Sequence, residues 1–165
     1  MLKRSDKVAV YMEGHIYSEY GKMGMGVLRY LENKIVCVID SKYSKTDIND
    51  HYPNLKPVPI VNDLESAIQL KAEVLILGIA PSGGKVPSDW YPVIKMALSK
   101  GLSIINGLHD LLEKRFKNLV SKKNQWIWDV RVPNFIPEIA TGKAAKLNNK
   151  RLLMVGTDMA CGKMT

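Results

Sequence analysis

The sequence predicts an α/β protein: a Rossmann-like, doubly wound parallel sheet flanked by helices, followed by the first strand and loop of a truncated P-loop domain. Three observations carry this reading. Short β-branched runs alternate with helical patterns along the chain, the sign of strands joined by crossover helices. Those runs are continuously apolar, as strands buried on both faces are. The last of them runs straight into a glycine-bounded loop ending in Gly-Lys.

In chain order, strands are expected near Val8 to Met12, Ile35 to Ile39, Val58 to Ile60, Val74 to Leu77, Ser103 to Ile105, Ile127 to Val130 and Leu152 to Val155. The first helix is expected after a long loop holding Glu13, Gly14, His15, Gly21, Lys22, Gly24 and Gly26. Asn62-Asp63-Leu64-Glu65 offers an N-cap with Glu65 at the capping-box position, and Leu64, Ala67 and Ile68 then share a face. Ser88 is a cap candidate for a helix with Pro92 in its first turn, lined by Trp90, Val93, Ile94, Ala97 and Leu98 and stopped by Gly101. A further helix should carry Leu108, Leu111, Leu112, Phe116 and Leu119 on one stripe. After Val130, Pro133, Pro137 and Gly142 interrupt any period, which reads as a connector. The expected division is 1–148 as the Rossmann-like domain and 149–165 as connector, strand and phosphate loop of an incomplete P-loop domain.

At 165 residues and 46% hydrophobic content the chain can bury a core of ordinary size. Its longest apolar runs are strand-sized, far below the roughly 20 residues of a membrane span, and no signal peptide is visible at the N-terminus. Its two cysteines, Cys37 and Cys161, suggest neither a disulfide framework nor a metal site. A soluble protein of the reducing cytoplasm is therefore expected, with no membrane partner and no metal. The net charge of +8 gathers in the second half, from Lys114 to Arg151. Without an aromatic-interleaved basic motif or recognition helix, an anionic cofactor or a solvated face explains it better than nucleic acid. A small anionic substrate or nucleotide is the expected partner, and a homo-oligomer is allowed.

The strongest chemical signal is Leu152-Leu153-Met154-Val155 followed by Gly156-Thr157-Asp158-Met159-Ala160-Cys161-Gly162-Lys163-Met164-Thr165. Phosphate binding needs close backbone N–H groups, a lysine for the outer phosphates and a hydroxyl for magnesium, so Gly156, Thr157, Asp158, Gly162, Lys163 and Thr165 are the phosphate-site candidates. Five residues rather than four separate Gly156 from Gly162, and Met164 stands where Ser or Thr usually follows the lysine. As the chain is written, the helix that would complete the site is missing, so weak nucleotide binding or none is expected of it.

Three further places lie at the carboxyl ends of strands, where open α/β sheets bind ligands. The first loop offers Glu13, Gly14 and Lys22, but Gly21-x-x-Gly24-x-Gly26 is not the usual dinucleotide fingerprint, and helix packing explains those glycines equally well. Asp40 and Ser41 end the second strand, where the acid would either bond a ribose hydroxyl or cap the next turn. Pro81-Ser82-Gly83-Gly84 follows the fourth strand and would either bring amides to an anion or turn a corner. His109 follows Gly107 and is a catalytic candidate with Glu13 if the two loops converge, or else a structural helix-end histidine.

The spacing from Gly156-Thr157-Asp158 to Gly162-Lys163 resembles the loop of dethiobiotin synthetase. A wider set of motifs, Gly26-Val27-Leu28-Arg29-Tyr30, Val38-Ile39-Asp40-Ser41, Gly78-Ile79-Ala80-Pro81-Ser82-Gly83-Gly84, Gly107-Leu108-His109, Ala140-Thr141-Gly142-Lys143 and the phosphate loop, resembles a two-domain family long labelled as of unknown function. Some members are described as D-glutamate N-acetyltransferases. The resemblance implies a Rossmann-like N-terminal domain joined to a P-loop domain, an acyltransferase activity in the longer protein, and a role for ATP-magnesium or acetyl-coenzyme A there. Rival readings are an ATP-dependent ligase or kinase of the dethiobiotin-synthetase type and a non-catalytic cofactor-binding module.

Overall fold

The computed structural model describes residues 1–132, 138, 141–150, 152 and 155. The chain divides into two units, Met1–Pro133 and Asn134–Thr165. In the second, a short 3₁₀ turn spans Lys143–Lys146, and Lys143 forms an exposed ion pair with Glu138. The strand expected over 152–155 rests partly on Leu153 and Met154, which lie outside the described residues. So do Gly156, Thr157, Asp158, Gly162, Lys163 and Thr165.

The first unit is built on six strands: β1 (Val8–Tyr11), β2 (Ile35–Ile39), β3 (Ile60–Val61), β4 (Val74–Leu77), β5 (Ser103–Asn106) and β6 (Ile127–Asp129). All pairings between them are parallel, in the order β3-β2-β1-β4-β5-β6. The helices are α1 (Lys22–Tyr30), α2 (Ile48–His51), α3 (Leu64–Gln69), α4 (Tyr91–Ser99) and α5 (Leu112–Phe116).

Strand side chains alternate between two cores. Val8, Val10, Val38, Ile60, Val74 and Ile76 pack on the face that also holds Met25 of α1 and Ile48 of α2. Ala9, Tyr11, Cys37, Leu75, Leu77 and Ile104 pack with Leu64 and Ala67 of α3, Ile94 and Leu98 of α4, and Leu112 and Phe116 of α5. This segregation follows from the strand order. The chain steps one way from β1 to β3, then crosses back and steps the other way to β6. Right-handed crossovers put the connections of opposite travel on opposite faces. The sheet is thus doubly wound as expected.

The differences from expectation are local. The first helix begins at Lys22, so Gly24 and Gly26 lie inside it rather than in the loop before it. Asp63, not Asn62, caps α3, and its partner is Ser66, whose N–H it accepts at 2.8 Å; Glu65 falls one position too early for a capping box. Ser88 opens a 3₁₀ turn without a side-chain cap, while Pro92 does sit in the first turn of α4 and Gly101 ends it with φ +88°. The helix expected from Leu108 onward is confined to Leu112–Phe116, because Asp129 of β6 accepts the N–H groups of Leu112 and Glu113 and fixes its start there. Leu108 is buried ahead of α5, and Leu111 is exposed.

Candidate functional site

The strand order reverses between β1 and β4, so the crevice outside their carboxyl ends is the topological switch point of the sheet. Helix α1 comes unusually close to the chain here. The Gly24 N–H donates to the Gly78 carbonyl at 2.7 Å, and a Cβ on Gly78 would lie 2.9 Å from the Gly24 Cα. A Cβ on Gly24 would in turn lie 2.4 Å from Met12 Sδ. These two glycines are packing residues, and the Gly21-x-x-Gly24-x-Gly26 pattern reads as helix apposition.

The loop after β1 is tied to the end of β2. The Glu13 carboxylate accepts the Ser41 N–H at 2.9 Å and a short hydrogen bond from the Ser41 hydroxyl. Beneath it Asp40 is fully buried. Its Oδ1 accepts the Lys42 N–H at 3.0 Å, capping the 3₁₀ turn Ser41–Tyr43. Its Oδ2 makes no bond of ordinary geometry, with the Gly14 and Ile16 N–H groups nearby. Burial raises the Asp40 pKa, and the Gly14 and Lys42 amides oppose that rise. Of the two roles expected of Asp40, the geometry displays the cap, because the carboxylate has no exposed surface to offer a ribose. Tyr11, at the end of β1, stacks edge-on with Trp90 at 5.5 Å, and burial pushes its pKa up to about 12, assisted by Glu13, Asp89 and Asp40. It therefore stays a phenol and a hydrogen-bond donor at neutral pH.

Beyond β4, Ser82–Gly84 forms a 3₁₀ turn in which Gly83 and Gly84 both take left-handed backbone angles, φ +77° and +65°. Open space lies where a Gly83 side chain would stand, whereas a Cβ on Gly84 would strike His109 Cδ2 at 2.3 Å. The loop after β5 clasps this turn. His109 N–H donates to the Gly84 carbonyl at 2.8 Å, and Val86 N–H donates to Asp110 at 2.6 Å. Asn106 in turn donates to the Asp110 carbonyl at 2.7 Å and to the buried Asp129 carboxylate at 2.8 Å. His109 is thus exposed beside an anchored glycine turn.

Among the expected residues, the structure joins Glu13 to Ser41 over Asp40 and Gly14, and joins His109 to Gly84 beside Pro81, Ser82 and Gly83. It does not join Glu13 to His109: both lie on the carboxyl edge, but β4 separates their strands and Glu13 turns toward β2. Lys22 lies apart from the glycine turn, in a groove with Ile16, Gly26, Arg29 and Tyr52. Sequence reasoning passed over Tyr11, Asn106, Asp110 and Asp129. For Tyr11, Asn106 and Asp129 the signal was a polar or phenolic residue closing an otherwise apolar strand; Asp110, in the loop after β5, carried none. No cluster of metal-ligating side chains occurs among the described residues, and no helix there is long and apolar enough to cross a membrane.

Comparison with known proteins adds a family. Residues 41–133 match the model described as a domain of unknown function, DUF1611_N, a Rossmann-like domain, and residues 138–165 match the companion DUF1611_C model, a P-loop domain. A protein named D-glutamate N-acetyltransferase from Pseudoalteromonas sp. is 45% identical over 101 residues, covering 59% of this chain and 30% of the relative. One of the same name from Tritonibacter scottomollicae is 39% identical over 103 residues, covering 61% and 30%. A crystal structure of a DUF1611 family protein from Anabaena variabilis superposes with a TM-score of 0.81 at 38% identity, covering 96% of this chain and 46% of that one. The chain therefore spans less than half the length of each. The first match alone covers more than half of this chain, so the chain belongs to the DUF1611 family, whose N-terminal domain is Rossmann-like and whose C-terminal domain carries the P-loop.

Proposed function

We propose that the chain is the N-terminal, ligand-binding portion of a cytoplasmic D-glutamate N-acetyltransferase-like protein, acting with a P-loop domain on a small anionic substrate. The observation that carries this is the 45% identity to the Pseudoalteromonas protein of that name. In such a reaction the substrate amine attacks the acetyl carbonyl of acetyl-coenzyme A, the C–S bond breaks, and the amine gives up a proton. The switch-point edge suits the acidic substrate. The open backbone at Gly83 lets an anion approach, and the exposed His109 imidazole, packed against Gly84 beside it, is the candidate general base, whereas Glu13 is already engaged by Ser41.

The P-loop match over 138–165 favours one rival, an ATP-magnesium-dependent ligase or kinase. Incubating the longest native chain with D-glutamate and acetyl-coenzyme A, and following free thiol, separates the two. Thiol release dependent on D-glutamate is expected, and His109→Ala should slow it by about 10²-fold or more. ATP hydrolysis dependent on an acidic substrate, with acetyl-coenzyme A untouched, would replace this reading by the ligase.

A further inference from the structure

Gly26 is a glycine without a packing reason. It lies inside α1 with no atom of the described residues beyond its own helix backbone within 4 Å of where its Cβ would stand, and its φ is not left-handed. A helix-interior glycine is unfavourable relative to alanine, so neither local conformation nor the fold accounts for it. Gly24, two residues earlier, has its reason in Met12 and Gly78.

The space over Gly26 is a groove of about 410 Å³ along the exposed flank of α1, flanked by Lys22, Arg29 and Tyr52. It adjoins a second depression of about 370 Å³, with Arg29, Tyr30 and Tyr52 shared by both. Among the described residues no carboxylate lines either. Neither Lys22 nor Arg29 forms an ion pair among the described residues. Lys22 stands about one turn before Gly26 and Arg29 just under one turn after it, so Arg29, tilted back toward the helix N-terminus, leans toward the bare backbone, and Lys22 lines the same groove one turn before it. Tyr30 is 81% exposed at the rim, and the Tyr52 hydroxyl is held by the Ile16 carbonyl at 2.8 Å, which fixes that ring as the opposite wall.

We infer that this groove binds a phosphorylated ligand of the nucleotide class, its phosphates between Lys22 and Arg29 over Gly26 and its base against Tyr30 and Tyr52. Two cations that form no ion pair among the described residues, in a groove lined by no described carboxylate, select an anion, although Arg29 also borders a further depression with Glu32. Flat rings beside them select a flat partner. The site is separate from the Gly83 turn, and it does not depend on the acyltransferase reading.

The test uses the full chain carrying Lys163→Ala, which silences the phosphate loop, titrated calorimetrically with ADP, inorganic pyrophosphate and adenosine. ADP should bind more tightly than either of the others. Arg29→Ala should weaken ADP at least tenfold, and Gly26→Leu should abolish binding by filling the floor. Gly26→Ala should weaken binding while raising the melting temperature, a combination that a purely structural glycine does not give. ADP binding unaffected by Arg29→Ala and Gly26→Ala, pyrophosphate binding as tightly as ADP, or no ADP binding at all would each overturn the inference.

Discussion

Two glycines two residues apart in α1 should respond to alanine with opposite signs. At position 24 the new methyl would lie 2.4, 2.8 and 2.9 Å from Met12 Sδ, Cγ and Cε, and Met12 is fully buried. It has no room to swing aside without displacing the core beneath β1. Overpacking of this kind costs about 1–3 kcal/mol, and the helix propensity gained returns about 0.5–1 kcal/mol. Gly24→Ala should therefore destabilise by about 1 kcal/mol net. At position 26 the methyl meets no other element among the described residues, and only the propensity gain remains, about 0.5–1 kcal/mol of stabilisation. The two variants should melt about 3–8 °C apart, at 2–4 °C per kcal/mol for a chain of this size. Circular-dichroism melts of both proteins under identical conditions measure this directly. A shift of both in the same direction would refute the steric reasoning, and a lower melting temperature for Gly26→Ala would show that the space over α1 is not open.

Three other outcomes follow from the same structure. Burial pushes the Cys37 thiol up to about 12, and the thiolate is the reactive form, so iodoacetamide at pH 8 should leave Cys37 unmodified until the protein is unfolded; peptide mass mapping reads this, and alkylation in native buffer would refute it. Asp129→Ala leaves the Leu112 and Glu113 N–H groups and the Asn106 amide without their acceptor and should cost about 3 kcal/mol in urea denaturation, with Asp129→Asn costing less because one carbonyl oxygen remains. The Asp63 carboxyl is held below its ordinary 3.8 by the Ser66 N–H and hydroxyl, then by Asn62. A lowered folded pKa means its contribution is present above that ordinary value and lost as pH falls through the folded one, so Asp63→Ala should cost about 1 kcal/mol at neutral pH and progressively less in acid.

The sheet was legible because burial on both faces writes itself as unbroken apolar runs. Val8–Tyr11, Ile35–Ile39 and Val74–Leu77 stand where those runs do. The third strand stands at Ile60–Val61, later than expected, and its outer side is bonded to the segment around the start of α2: Ile48 N–H donates to the Val58 carbonyl and Ile60 N–H to the Thr46 carbonyl. The start of α5 was illegible for a different reason. Its cap, Asp129, lies downstream on another strand, and no local pattern around Leu111 records it. The site divides along the same line. Residues that act through their own backbone, such as Gly83, Gly84 and Gly101, announce themselves by type. Glu13 with Ser41, 28 positions apart, and Gly84 with His109 meet only because neighbouring parallel strands deliver both loops to one edge.

Asp40 shows how a correct position can mislead about a role. An acid ending the second strand of such a sheet is where a ribose contact is looked for, and Asp40 stands there. Yet the loop from Glu13 to Ser18 closes over it, its surface exposure is nil, and desolvation raises its pKa. A carboxylate in that setting organises backbone: it caps the Ser41 turn, and it lies beneath the Gly14 and Ile16 amides. Glu13, fastened to Ser41, closes the same junction from above. With Glu13 fastened to Ser41 and Asp40 buried as the cap of the Ser41 turn, that half of the carboxyl edge is braced, and exposed groups stand beyond β4 and along α1. Exposed surface and open backbone coincide instead at the Gly83 turn beside His109 and along the Lys22–Arg29 groove, the two places where the ligand contacts proposed above are to be tested.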